Sequence, residues 1–293
     1  MVIYDEDNPY HEKISYANPL IPLKIFIHKK VDGFWNIWHY HKQIELLYIL
    51  KGRLDVYVDK EMYPLEDGDI VLIGPNQLHR DMSRVVEYIV FQFDCHQYLD
   101  PSTLTYMKLF ERVNAPLSKL NYIFNENGAA KAEIARSIQD IFEEEKRKAP
   151  GYEMAVSMLI RKILLTLIRN DTRQVLPFKD HADIIRLKPV LDYVNKNISG
   201  KIVVKEASQI ANISYHHFVK YFKKVIGMSF VDYVNYNKVK MAERLLLTQD
   251  LSIEEIGEKI GMTNMGHFYK IFRKFNQCSP KEFREKQLRW GRD

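Results

Sequence analysis

Residues 203–229, VVKEASQIANISYHHFVKYFKKVIGMS, and residues 253–279, IEEIGEKIGMTNMGHFYKIFRKFNQCS, are one pattern written twice. Val203, Ala207, Ile210, Ala211, Ser214, Phe218, Phe222 and Ser229 recur fifty positions later as Ile253, Gly257, Ile260, Gly261, Asn264, Phe268, Phe272 and Ser279. Each copy has a short helical run with a small residue at its centre, a tight turn, a Ser or Asn, and a second helical run with Phe at i and i+4. An N-cap side chain accepts hydrogen bonds from the free N–H groups of a first helical turn, so Ser214 and Asn264 mark where the second helices begin. The spacing predicts helices over 205–211 and 215–225, then 253–260 and 265–275, with a long helix over 230–247 joining the pairs. Each second helix hides its phenylalanines and shows His, Lys and Arg, a form suited to a DNA major groove. Held rigidly, two such helices would enter successive grooves about 34 Å apart.

Charge divides the chain the same way. Residues 186–293 hold 20 Lys+Arg against 11 Asp+Glu, a net of +9, whereas the other 185 residues hold 23 against 27, a net of −4. The basic third is where a polyanion would bind. The 293 residues suffice for two cores, and a hydrophobic content of 46% makes both globular. No apolar run reaches the length of a membrane span, and the start, MVIYDEDNPY, is acidic, unlike a signal peptide. Cys95 and Cys278 fall in different expected domains and read as reduced thiols, which fits the cytoplasm.

From 23 to 94 the chain reads as short strands. Residues 53–59 alternate polar and apolar with period two; Asp67-Gly68 turns into an apolar strand over 70–73; Gly74-Pro75-Asn76 ends it before His79. Close, even spacing of such strands suggests a sandwich or barrel. On a strand, His39 and His41 point to one side and Glu45 shares their parity. With His79, two imidazoles, a carboxylate and a third imidazole suit a divalent first-row metal. The same side chains also suit hydrogen bonding to each other, or to a polar ligand, with no metal present, so a bound divalent metal and a metal-free pocket both stay open.

The spacing Gly33-x5-His39-x-His41-x3-Glu45-x6-Gly52 resembles the first motif of the cupins at every position. The second motif is kept in part: Gly68 and His79 stand as expected, but Gly74 replaces the usual Pro and Asn76 the usual Gly. The resemblance covers roughly 20–95 and implies a small all-β barrel with a central pocket lined by His39, His41, Glu45 and His79. The aromatic residues Phe34, Trp35, Trp38, Tyr40 and Tyr48 would stack on a sugar ring or fill an ordinary core.

Between 129 and 170 the period becomes helical. Ile134, Ile138, Ile141 and Phe142 form one stripe; after Pro150-Gly151, Val156, Leu159, Ile160, Ile163, Leu164, Leu167 and Ile168 form a longer one. Such stripes cover the barrel or pack on a second copy as a homodimer, and periodicity does not separate the two. The polar stretch 174–188, flanked by Pro177 and Pro189, reads as a linker, with Pro189 opening the next helix. The expected domains are therefore a cupin-like effector-binding barrel over 1–100, a helical segment over 101–175, a linker over 176–187 and an all-α domain over 188–287, with helix-turn-helix units at about 205–226 and 253–276.

The run from Gly261 through Met262, Asn264, Phe268 and Phe272 to Lys274, closing on Ser279-Pro280-Lys281-Glu282-Phe283-Arg284, resembles the signature of the AraC/XylS transcription regulators. Met262 stands where Phe is usual and Gln277 where Gly is usual. The resemblance spans about 186–287. It implies base-edge contacts from His216, Val219 and Lys220 in the first unit and from Met265, Gly266, Tyr269 and Lys270 in the second. Lys223, Lys224, Arg273 and Lys274 are placed for phosphates, and His217 and His267 for packing or phosphate. Met265 and Gly266 offer only apolar contact or close approach, so the second helix carries less base information.

The expectation is a sequence-specific regulator, not an enzyme, whose partners are double-stranded DNA, a small-molecule effector and RNA polymerase. The competing expectation is a metal-dependent cupin enzyme carrying a DNA-binding tail.

Overall fold

The computed structural model describes residues 9–16, 18, 21–30, 34–95, 98, 110, 116–176, 181–276 and 278–290, with side chains at 34–35, 83–84, 181–185 and 286–290 left aside. Gly33, Pro177 and Gln277, and the side chains of Phe34 and Trp35, lie outside them. The chain forms two compact units, Met1–Phe178 and Lys179–Asp293. Among the described residues no helix is long and apolar enough to cross a membrane.

The first unit begins with eight strands: β1 (Tyr10–His11), β2 (Leu23–Lys30), β3 (Phe34–Trp35), β4 (His39–Tyr40), β5 (Ile44–Val58), β6 (Glu61–Leu65), β7 (Ile70–Ile73) and β8 (His79–Phe93). They form one sheet, curled into a half-barrel, whose spine is the antiparallel pair β5–β8, running from Ile44↔Phe93 to Val58↔His79. Strand β8 also pairs with β2 along its second half and with β4 through His39↔His79, while β5 takes β6 and β7 on its other edge. The alternating stretch 53–59 is therefore the far half of one fifteen-residue strand that includes Glu45. Register shifts between Ile49/Lys51 and Gly52/Leu54 bend the pair in the middle. Gly52 sits at this bend with φ 101°, where a Cβ would lie 2.3 Å from the Val85 carbonyl oxygen, so only glycine fits. Inside the curl, Leu47, Ile49, Leu54, Val56, Val71, Ile73, Val86 and Val90 make a common core.

Among the described residues from Pro116 onward come a short 3-10 helix (Leu117–Asn121) and the helices α1 (Tyr122–Glu126), α2 (Gly128–Arg147) and α3 (Tyr152–Asn170). The Asn127 side chain caps α2 by accepting from the Ala130 N–H at 3.0 Å. Gly151, with φ 86°, turns the chain into α3. The two long helices pack on each other, burying Ile134, Ile138 and Ile141 of α2 and Val156, Ile160, Ile163, Leu164 and Leu167 of α3. Much of both predicted stripes is thus spent within the hairpin. A second apolar face of α3 stays outside: Met154, Met158 and Leu165 are 71%, 68% and 43% exposed.

The second unit is helical: α4 (His181–Lys196), α5 (Val204–Ile210), α6 (Tyr215–Ile226), α7 (Phe230–Thr248), α8 (Ile253–Lys259), α9 (Met265–Asn276) and α10 (Pro280–Trp290). Helix α4 corrects the reading of 181–187 as linker and of Pro189 as a helix start. Leu187, Val190, Leu191 and Val194 are buried at helical spacing, and their packing carries the helix past a proline that forfeits one backbone bond. Ser214, Ser229 and Ser252 cap α6, α7 and α8, with a full capping box at Ser252 and Glu255. Asn264 accepts from the His267 N–H at 3.0 Å, and Ser279 exchanges bonds with Glu282 at the start of α10. Phe218, Phe222, Phe268 and Phe272 are fully buried. Met262, in place of the usual Phe, fills the second core beside Phe268 and Phe283. The small residue of each copy has a steric cause at Gly257, where a Cβ would stand 3.0 Å from both the Met262 carbonyl and the Met265 sulfur.

Candidate ligand pocket and DNA-reading helices

Folding brings three of the four expected site residues within ligand distance of one another. His41 follows β4, Glu45 lies near the start of β5 and His79 opens β8; all three are buried, and one ligand atom from each falls within 4.8 Å of the others. His41 Nε2 is 3.1 Å from Glu45 Oε2, and His79 Nε2 is 3.7 Å from Glu45 Oε1. His39 stands outside that ligand-atom cluster but lines the adjoining cavity with Glu45 and His79. The strand ends at Tyr40 and bends at residues 42–43, so His39 and His41 do not share one strand face. His39 instead turns its Nδ1 to the Ile37 carbonyl at 2.9 Å and lays its ring 4.1 Å from that of His79.

Burial opposes charge on Glu45, but the His41 hydrogen bond and the nearby imidazoles win and hold its carboxyl down at about 2. Burial likewise favours a neutral His41, yet the Glu45 bond and charge outweigh it and raise the His41 pKa. Burial pushes His79 down to about 4, so its ring is neutral near pH 7. Its Nδ1 lies 2.9 Å from the Gln77 carbonyl oxygen and must donate there, which leaves the lone pair on Nε2. His79 Nε2, His41 Nδ1 and Gln92 Oε1 are buried without a hydrogen-bond partner. Two imidazoles and a carboxylate with a free buried nitrogen fit a divalent first-row cation, and His41, Glu45 and His79 are the residues that would hold it.

Beside this cluster opens a cavity of about 390 Å³. Among the described residues its aromatic walls are Tyr10, Phe26 and Tyr88, and not Trp38, Tyr40 or Tyr48. Trp38 lies buried with the Arg80 guanidinium 4.6 Å over its ring, and Tyr40 stacks on His11. Among the polar residues of the cavity that escape sequence reading are Gln92 and Asp81. Gln92 faces Glu45 across the β5–β8 ladder and donates to its Oε2 at 2.5 Å. Asp81 accepts from Lys30 at 3.1 Å and from the Tyr88 hydroxyl at 2.8 Å, and also from Asn36. A lone Gln in the apolar run Ile89–Phe93 is a usable signal for the first; nothing local marks the second.

In the helical unit, the outer face of α6 exposes His216, Val219, Lys220, Lys223 and Lys224, and that of α9 exposes Gly266, Lys270 and Arg273. Met265 and Tyr269 are only half-exposed because both pack on the second core. Lys274, expected at a phosphate, is instead held by Asp232 of α7 at 2.5 Å, and that ammonium lowers the Asp232 pKa. Lys238 of α7 ties the two halves of the unit: its Nζ donates to the carbonyls of Gly200, Ile260 and Gly261 at 3.1, 2.7 and 3.1 Å. The sequence pattern does not reveal it.

The chain matches a helix-turn-helix domain family over residues 207–286 and a cupin domain family over residues 30–81. It is similar to the HTH-type transcriptional regulator YdeC of Bacillus subtilis (strain 168), with 20% identity over 271 residues, covering 91% of this chain and 92% of that one. It is also similar to the HTH-type transcriptional regulator YdiP of Escherichia coli (strain K12), with 25% identity over 269 residues, covering 86% and 82%.

Proposed function

We propose, for a chain that is a DNA-binding transcription regulator of the AraC type with a cupin domain, that the half-barrel cavity takes a small-molecule effector whose binding alters affinity for DNA. The observation that supports this is the cavity itself, about 390 Å³ with Glu45, His79, Asp81 and Gln92 on its lining. Those side chains offer a polar ligand fixed acceptors against apolar walls, the make-up of a small-molecule site. An effector shifts DNA binding only by preferring one of two states of the protein. His216, Val219, Lys220, Gly266 and Lys270 are the base-facing residues of this reading, and Lys223, Lys224 and Arg273 its phosphate contacts. The outer face of α3, with Met154, Met158 and Leu165 exposed, supports pairing of two copies.

The His41–Glu45–His79 cluster favours a second reading, a metal-dependent cupin activity. One experiment separates them: a thermal-shift screen of the full chain against metabolites and divalent cations, followed by DNA titration with each hit. A compound that raises the melting temperature, changes DNA affinity and loses both effects in Glu45→Gln fits the regulator. A compound consumed in the presence of a bound cation, with DNA affinity unchanged, fits the enzyme and refutes effector sensing.

A further inference from the structure

Gln77 stands two residues before His79 and is 6% exposed. Its main-chain carbonyl receives the His79 Nδ1–H at 2.9 Å, and so fixes which ring nitrogen faces the cluster. Its side-chain amide is fully engaged in the opposite direction. Oε1 accepts from the Gly74 N–H at 2.8 Å and the Ser118 N–H at 3.1 Å, while Nε2 donates to Asp59 Oδ2 and Ser118 Oγ, both at 2.8 Å. Two donors and two acceptors are all that an amide possesses, so this side chain cannot shift without breaking a buried bond.

Ser118 belongs to the 3-10 helix, which is sewn to the half-barrel a second time. Asn121 Oδ1 accepts from the Leu72 N–H at 2.7 Å, and its Nδ2 donates to the Leu72 carbonyl at 3.0 Å. The next residue continues the line. The Tyr122 hydroxyl donates to Asp171 Oδ1 at 2.9 Å and accepts from the Arg173 N–H at 3.0 Å. Asp171 in turn accepts from the Leu176 N–H at 2.6 Å, just before the unit ends at Phe178. Gly74, where the cupin motif has Pro, is part of the same device. A Cβ there would stand 2.7 Å from Gln77 Oε1 and 2.9 Å from Leu117 Cβ, so the glycine is what lets the 3-10 helix sit against Gln77.

We propose that Gln77 is the positioning residue through which the state of the pocket reaches the segment leading into the DNA-binding unit, by the line His79, Gln77, Ser118, Asn121, Tyr122, Asp171. This rests on the reading of the cavity as an effector site. A ligand or cation that draws on His79 Nε2 moves the ring, the ring moves the Gln77 carbonyl, and the saturated amide passes the strain to the 3-10 helix. The coupling is carried by buried hydrogen bonds, each of which is removable by substitution.

The test is a double-mutant cycle read by amide hydrogen exchange on the full chain, with His79→Ala standing in for a change in the pocket. In the parent, His79→Ala should speed exchange about tenfold at Ser118, Arg173 and Leu176. In Gln77→Met those amides should already exchange fast, and adding His79→Ala should change them by less than about twofold. Ser118→Ala, a milder lesion that keeps the Gln77 side chain, should cut the His79→Ala effect at Arg173 and Leu176 by at least half, and carries the test if Gln77→Met fails to fold. Parent rates at 171–176 in His79→Ala, or an undiminished effect without the Gln77 amide or the Ser118 hydroxyl, would overturn the proposal. No effector enters this assay, so its failure leaves the effector reading standing, and the ligand screen tests that reading separately.

Discussion

At Gly74 and Gly128 the same substitution should have opposite signs. An alanine Cβ at Gly74 meets Gln77 Oε1 at 2.7 Å and Leu117 Cβ at 2.9 Å, both part of a packed contact that cannot open cheaply. Gly74→Ala should cost about 1–3 kcal/mol in urea unfolding, the range for forcing a methyl into a closed core. Gly128 begins α2 with nothing within 4 Å of a would-be Cβ. Gly128→Ala should stabilise by about 0.4–1 kcal/mol, chiefly by restricting the unfolded chain. Equal destabilisation by both would mean that the 3-10 helix does not press on residue 74.

At the scale of elements, the two helix-turn-helix units are held by a joint built on one buried ammonium. Lys238 is buried, its pKa is lowered by desolvation, and among the described residues its ammonium meets the carbonyls of Gly200, Ile260 and Gly261. Lys238→Met should leave those carbonyls unmet and cost about 1–3 kcal/mol. It should also loosen the spacing of the two helix-turn-helix units. In selection from random duplexes the parent should demand one spacing between its two half-elements, and the variant should accept spacings one base pair longer or shorter. An unchanged spacing preference in a destabilised variant would reduce Lys238 to a stability residue.

These elements also show what a sequence reveals. The repeat, its caps at Ser214 and Asn264 and its buried phenylalanines were readable because each depends on neighbours within one or two helical turns. The sequence of strand β5 reads in pieces because the bend at Gly52 interrupts its alternation, and that of α4 reads short because Pro189 resembles a start. At the pocket and its buried cluster, His39, His41, Glu45 and His79 carry a spacing motif. Gln92 and Gln77 act through partners 47 and 41 residues away, a register and a docking that no local pattern encodes. His39 lines the cavity as its spacing implies, but stands outside the ligand-atom cluster, since parity holds only while the strand continues and this one stops at Tyr40.

At the scale of the molecule, the net +9 of residues 186–293 and the net −4 of the remainder set the electrostatics of the whole chain. Lys220, Lys223, Lys224, Lys270 and Arg273 stand exposed on the two reading helices, whereas Lys274 is spent on Asp232. Binding of the full chain to a duplex selected from random sequence, measured across salt concentrations, tests the central claim most directly. Counterion release gives a slope of roughly −0.9 per phosphate neutralised, so the three phosphate contacts Lys223, Lys224 and Arg273 predict a log–log slope of about −3. Lys223→Ala with Lys224→Ala should make that slope shallower by about 2, while Lys274→Ala should leave it within about 0.5 of the parent. A slope near zero, or one unaltered by removing Lys223 and Lys224, would contradict the account.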